Sequence, residues 1–253
     1  MDLWSGFAGI SPVQLASVAA VALVASVVGG VAGYGTGALM PLVLVPLVGA
    51  EPVVPIIALS ALFTNTSRAV AFRKYIDFRR SLIVMAAASP TCVLGAYGYT
   101  RLNDTGAALV IGTMLIASVP LRRFLRHRGF TVGDRGLGVA SFGWGGIVGG
   151  TAGAGIILLS LLMAAGLQGA AVIATDAAIS IVIGIVKVGV FGIAGVVTPQ
   201  VVAFALLIGL IALPGAFLAR AFVERMPIHV HTAILDVVVV AGGAFLVIGA
   251  LVR

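Results

Sequence analysis

Apolar stretches long enough to cross a bilayer alternate with short polar ones along almost the whole chain. The apolar segments run at 13–32, 38–49, 53–72, 81–100, 105–121, 137–149, 154–166, 169–195, 199–222 and 230–252. No residue is charged between Asp2 and Glu51, between Arg80 and Arg101, between Arg135 and Asp176, or between Lys187 and Arg220. Each gap meets or exceeds the roughly 20 apolar residues that a transmembrane helix requires. A buried core in a soluble domain would leave charged outer faces on its helices, and these segments have none. Runs such as Val201-Val202-Ala203-Phe204-Ala205-Leu206-Leu207-Ile208 do not alternate, which argues against a membrane β-barrel. The pattern predicts an all-α polytopic integral membrane protein. Segments 38–49 and 154–166 are too short to cross alone. The expected count is therefore about eight crossings if they extend their neighbours, and about ten if they cross or re-enter by themselves.

The order of elements repeats. Gly29-Gly30-Val31-Ala32-Gly33-Tyr34-Gly35-Thr36-Gly37 matches Gly145-Gly146-Ile147-Val148-Gly149-Gly150-Thr151-Ala152-Gly153. Each stretch precedes a short apolar segment, then a turn (Gly49-Ala50-Glu51-Pro52; Gly166-Leu167-Gln168-Gly169), then a long span. Leu94-Gly95-Ala96-Tyr97 resembles Pro214-Gly215-Ala216-Phe217 later on. The reading is one transmembrane repeat over 1–123, a basic cytoplasmic linker over 124–136 and a second repeat over 137–253. Eight crossings make the repeats parallel with both chain ends inside, and ten make them inverted with both ends outside. Positive-inside bias places loops 73–80 (Arg73, Lys74, Arg79, Arg80) and 122–135 (Arg122, Arg123, Arg126, Arg128, Arg135) in the cytoplasm. The ten-crossing count also brings Arg220 and Arg225 inside.

Composition agrees with the pattern: 61% of the 253 residues are hydrophobic and 9% are charged, against about a quarter charged in soluble domains. The net charge of +7 resides in short loops and is no nucleic-acid footprint. The N-terminal stretch has no basic leading region, so its first apolar segment is expected to be a retained span. The lone Cys92 leaves no partner for an intramolecular disulfide and reads as a small buried side chain.

Candidate chemistry is confined to a few positions. The glycine stretches can let helices approach closely. They can also break a helix, because each glycine lowers helix propensity by about 1 kcal/mol relative to alanine. A break at Gly33, Gly35 and Gly37, and at Gly149, Gly150, Gly153 and Gly155, would expose amide groups at a positive helix end, a ready anion site. Thr36 and Thr151 would add hydroxyl donors there. Lys187 lies deep in its span and needs a polar environment, unless it snorkels to an interface. Asp176 is eleven residues earlier, about 16 Å along the same helix face. It reads as a proton-carrying carboxylate, as the partner of an arginine on another helix, or as an interfacial cap. Asn65 and Arg68 share a face and form a polar cluster that suits an oxyanion, snorkelling being the rival reading. Glu51 reads as interfacial, and Asp236 as a pairing residue at a span start. His127, His229 and His231 lie in loops or at span ends without metal-ligand spacing, so neither a metal nor another cofactor is expected. No GxSxG or Walker-type loop occurs.

The glycine-rich break after a first span, followed by a short apolar segment with Pro41, a turn and a polar-tipped span, all occurring twice, resembles the TauE/SafE family of sulfite and sulfonate exporters. Gly35, Gly37, Gly153 and Gly155 are the residues most like its glycine motif, whose run is usually tighter than here. The resemblance implies secondary transport of sulfite, a sulfonate, sulfoacetate, thiosulfate or a related sulfur oxyanion in a bacterial inner membrane. The residues by themselves say only small anion. The expected substrate-binding set is Gly35, Thr36, Gly37, Asn65, Arg68, Thr151, Gly153, Gly155 and Lys187, with Asp176 for proton coupling. The expected partners are a small anionic substrate and the lipid bilayer, with a homo-oligomer allowed and no nucleic acid. A membrane-embedded enzyme acting on a lipid or isoprenoid, a non-transporting assembly subunit and a channel are the alternatives.

Overall fold

The computed structural model describes residues 4–32, 35–127, 131–215, 217–219 and 228–252. After a 3-10 turn at Trp4–Phe7 the helices are α1 (Pro12–Ala32), α2 (Thr36–Val48), α3 (Val53–Ala71), α4 (Phe78–Tyr99), α5 (Asp104–His127), α6 (Asp134–Gly150), α7 (Gly155–Ala164), α8 (Ala170–Ile193), α9 (Pro199–Ala212) and α10 (Ile228–Val252). Among the described residues no strand is present, and six helical stretches are long and apolar enough to cross a membrane. This is an all-α polytopic membrane protein. Gly33, Tyr34, Arg220 and Arg225 lie outside the described residues, as do the side chains of His127, His229, His231 and Asp236.

Helix starts follow local chemistry. Ser11 and Gln14 form a reciprocal capping box on α1, the Ser11 amide donating to Gln14 Oε1 at 2.8 Å and the Gln14 amide to Ser11 Oγ at 3.3 Å. Asp77 accepts from the Arg80 amide at 3.0 Å at the start of α4, and Thr198 accepts from the Val201 amide at 3.3 Å ahead of Pro199 in α9. Two boundaries differ from the sequence reading. The apolar run 199–222 is interrupted after Ala212, where Pro214 cannot supply an amide and crowds the preceding turn. In the other direction, α5 continues past 121 to His127, because the basic residues after Pro120 are good helix formers beyond the apolar layer.

Packing fixes the direction of each span. α4 and α6 run parallel in close contact: a Cβ on Gly145 would sit 2.2 Å from the Ala88 carbonyl oxygen, and one on Gly149 2.3 Å from that of Cys92. These two glycines therefore serve helix approach, and the α6 break falls after them, at Thr151–Ala154. α1 and α9 are also parallel, with Gly6 against Pro199 at one end and Ser26 against Gly215 at the other. By contrast α3 and α8 are antiparallel, since Gly184 meets Leu62 while Arg68 pairs with Asp176. The pair α5 and α10 is antiparallel too, with Gly112 against Val247 and Gly243 against Ile116.

The bundle has two distinct ends. One carries the turn at 72–77, the start of α6 and the 164–169 turn, where the Val132 amide donates to the Ala164 carbonyl at 2.9 Å and Arg79 pairs with Asp134. The other carries the 49–52 turn, clamped by Tyr99 Oη donating to the Ala50 carbonyl at 2.8 Å and by Asp104 accepting from the Ala50 amide. α2 runs toward the second end and α7 toward the first. Their beginnings meet in the interior, where a Cβ on Gly37 would come within 3.2 Å of the Gly153 amide nitrogen. Thirteen and ten residues at about 1.5 Å each make roughly 20 and 15 Å of helix, which together span a hydrocarbon core of about 30 Å. The two short apolar segments are thus half-helices that start at a shared depth and leave in opposite directions.

Candidate functional site

At that meeting point lies a cavity of about 140 Å³, enough for a small anion with several waters. Every one of the expected binding residues reaches it: Gly35, Thr36 and Gly37 from the start of α2, Thr151, Gly153 and Gly155 from the second break, Asn65 and Arg68 from α3, and Asp176 and Lys187 from α8. The two breaks differ in detail from the sequence reading. Gly37 lies inside the first turn of α2 and Gly155 opens α7, whereas Gly149 and Gly150 remain helical.

The breaks have identifiable causes. Gly153 sits at φ +83°, in the left-handed region that disfavours a Cβ, and packs against Gly37 and Leu115. Gly35 precedes α2 so close to α1 that a Cβ would sit 2.2 Å from the Ala25 carbonyl oxygen. The first amides of α2 and α7 have no carbonyl one turn back, so they are free to donate toward the cavity. Both helix beginnings also carry positive partial charge there.

Lys187 does not snorkel. It is buried, at 6% exposure, and its Nζ donates to the Val148 carbonyl at 2.7 Å and the Thr151 carbonyl at 3.1 Å. Those carbonyls belong to the end of α6, where helix termination leaves acceptors without intrahelical partners. The lysine thus stabilises the negative end of one broken helix beside the positive beginning of the next. An ammonium has three donors, so two such bonds leave one for a ligand.

Arg68 faces inward as well. Its guanidinium lies 3.4 Å from Asp176 Oδ2, with side-chain exposures of 12% and 2%, and it donates to Asn65 Oδ1. Asp176 therefore has an arginine partner on another helix. Its Oδ1 is buried with no hydrogen-bond partner. Lys187 and Arg68 therefore line one cavity from α8 and α3, together with the amide ends of α2 and α7.

Trp144, Ser26, Thr64 and Ser180 also line the cavity, and the sequence reading did not single them out. Trp144 donates from Nε1 to the Ala154 carbonyl at 2.9 Å and so holds the α6–α7 break in place. The signal was present in Gly143-Trp144-Gly145, because a buried tryptophan N–H needs a partner. Ser180 follows Asp176 by one turn on the same face, a spacing that could have found it.

A family model described as Sulfite exporter TauE/SafE matches residues 18–246. No curated protein and no solved structure matches the chain.

Proposed function

This chain belongs to the TauE/SafE family of sulfite exporters, and from that premise we propose that it is a secondary transporter carrying a small sulfur oxyanion, sulfite or a sulfonate, through the cavity between its two glycine breaks. The observation that carries the reading is the contact of Gly37 with Gly153, which brings two opposed helix beginnings into one cavity together with Lys187 and Arg68. An oxyanion there has amide donors from two directions, the threonine hydroxyls of Thr36 and Thr151, an ammonium and a guanidinium. Such charge-assisted donors are roughly twice as strong as neutral ones. Half-helix beginnings that point at an anionic group near mid-membrane are a recurring arrangement in carriers built from repeats.

Alternating access would come from two inverted repeats, 1–123 and 137–253, moving about this site. The packing supports that division. Exchanging the first five helices for the last five exchanges the observed neighbours: α3 packs on α8 and α9, and α8 packs on α3 and α4. The α1–α9 pair likewise maps onto α6–α4, both parallel, and the counterparts α3 and α8 run antiparallel. Positive-inside bias would set the end carrying Arg73, Lys74, Arg79 and Arg80 in the cytoplasm.

The test is counterflow of labelled sulfite and of a simple sulfonate in proteoliposomes, with Lys187→Ala and Arg68→Ala. Losing one charged hydrogen bond, about 1.5–3 kcal/mol, should weaken anion binding roughly ten- to a hundredfold. Unaltered flux in both variants would withdraw these residues from the site.

A further inference from the structure

The geometry points to Arg68 being shared: Asp176 and the transported anion compete for its guanidinium, so that a proton is taken up on Asp176 for each anion bound. This rests on the anion-carrier reading above and adds its coupling ion.

Three observations carry it. The Arg68 guanidinium stands 3.4 Å from Asp176 Oδ2, longer than the roughly 2.7–2.9 Å of a charge-assisted hydrogen bond. The other carboxylate oxygen, Oδ1, is buried and accepts nothing. Both side chains line the cavity into which the α2 and α7 beginnings open. An ionised carboxylate with an unsatisfied oxygen is a costly interior group. It also repels any anion brought to the same guanidinium.

A proton on Oδ1 removes both difficulties. The proton comes from water, an O–H bond forms on Asp176, and the carboxyl group becomes neutral. Arg68 keeps its charge and turns its N–H fork to two oxygens of the substrate, with Asn65 holding the fork from behind. The new hydroxyl can donate to a third substrate oxygen. On release the proton leaves Asp176, and the Arg68–Asp176 pair forms again. The neutral-site and ion-paired states each satisfy Arg68, whereas anion with ionised Asp176 leaves two negative groups on one cation.

Among the described residues, few other charges surround Asp176. Arg68 is the cation facing it from α3. From the start of α4, Asp77 donates its amide to Oγ1 of the neighbouring Thr175 at 3.0 Å and is itself paired with Arg80 at 2.8 Å. Arg73, Lys74 and Tyr75 in the preceding turn are exposed. Lys187 lies three turns along α8 on the carbonyls of Val148 and Thr151. α7 and the described part of α9 carry no titratable residue.

The experiment uses methanesulfonate, which stays ionised at every working pH, so any pH dependence belongs to the protein. Binding to the purified full chain is measured by calorimetry, and accumulation in proteoliposomes is measured under an imposed pH gradient. One proton per anion predicts that wild-type affinity falls about tenfold for each pH unit above the Asp176 titration. Wild-type vesicles should accumulate the anion on the side the proton gradient favours. Asp176→Asn should bind with the affinity the wild type reaches only in acid, independent of pH, and should lose gradient-driven accumulation. Asp176→Glu, which keeps the titrating group, should keep the pH slope. A wild type that carries methanesulfonate with pH-independent affinity overturns the coupling, as does Asp176→Asn that still accumulates it under a pH gradient. A wild type that carries neither sulfite nor methanesulfonate instead removes the anion-carrier reading and the coupling with it.

Discussion

At the scale of single residues, Lys187 shows how an intramembrane charge is accommodated. Its position in the span signals a polar environment, but the partner is backbone: carbonyls left over where α6 stops, 36 and 39 residues away in sequence. No pairing rule based on side-chain types could have found it, because the acceptors exist only once the helix is broken. Lys187→Met should therefore do two things at once. It should leave the Val148 and Thr151 carbonyls unpartnered, lowering the thermal unfolding midpoint by an amount corresponding to about 1.5–3 kcal/mol. Added sulfite is expected to raise the midpoint of the wild type and to leave that of this variant unmoved. Lys187→Arg, which keeps the charge and the donors, should recover much of the first loss. Gly153 has a separate role. At φ +83°, with Leu115 side-chain atoms 3.1 Å from where a Cβ would lie, Gly153→Ala should cost about 1–2 kcal/mol from backbone strain alone. Thermal unfolding in detergent would register it.

Among the elements, the breaks were legible where composition carried them and indistinct where context did. Two clusters of glycine predicted interruptions between 32 and 38 and between 149 and 155, and helices stop there. Which glycines pack and which break was not legible. Gly145 and Gly149 are helical because α4 lies against them, while Gly153 is not because its φ is positive, and neither fact is local to the sequence. Trp144 was passed over for the same reason, its acceptor being the carbonyl of Ala154 at the break ten residues on. The interruption after Ala212 was missed although Pro214 marks it, since the apolar run continues on both sides. Asp77 offers a test at this scale. Its carboxyl is held below its ordinary value, first by the Arg80 amide at the start of α4 and then by the Arg80 side chain, with burial acting in the opposite direction. A depressed carboxyl stabilises the fold above its unfolded pKa and loses that contribution as pH falls through the folded value. Asp77→Ala should thus cost about 0.5–2 kcal/mol at neutral pH. In acid below about pH 4 the gap from wild type should narrow, as read by thermal midpoints across pH.

For the whole molecule, sequence alone left two arrangements standing, parallel repeats with eight crossings or inverted repeats with ten. The undecided quantity was the direction in which each short segment leaves its break, and thirteen apolar residues carry no direction. Packing supplies it. With α3 and α8 antiparallel, and α2 and α7 departing toward opposite ends, the turn near Tyr75 and the turn at Gly195 fall at opposite ends of the bundle. In the parallel arrangement both would emerge on one side. The chain makes the distinction easy to measure, because its single cysteine, Cys92, is buried and gives little background to an impermeant thiol reagent. Tyr75→Cys and Ala194→Cys occupy two exposed residues at these turns, Ala194 with an ordinary right-handed backbone (φ −75°) that accepts a side chain. In oriented vesicles each should be labelled from one face only, and the faces should differ, with position 75 on the cytoplasmic one. Labelling of both from the same face would restore the parallel arrangement. It would also separate the two half-helix beginnings, and the cavity between Lys187 and Arg68 depends on those beginnings facing each other.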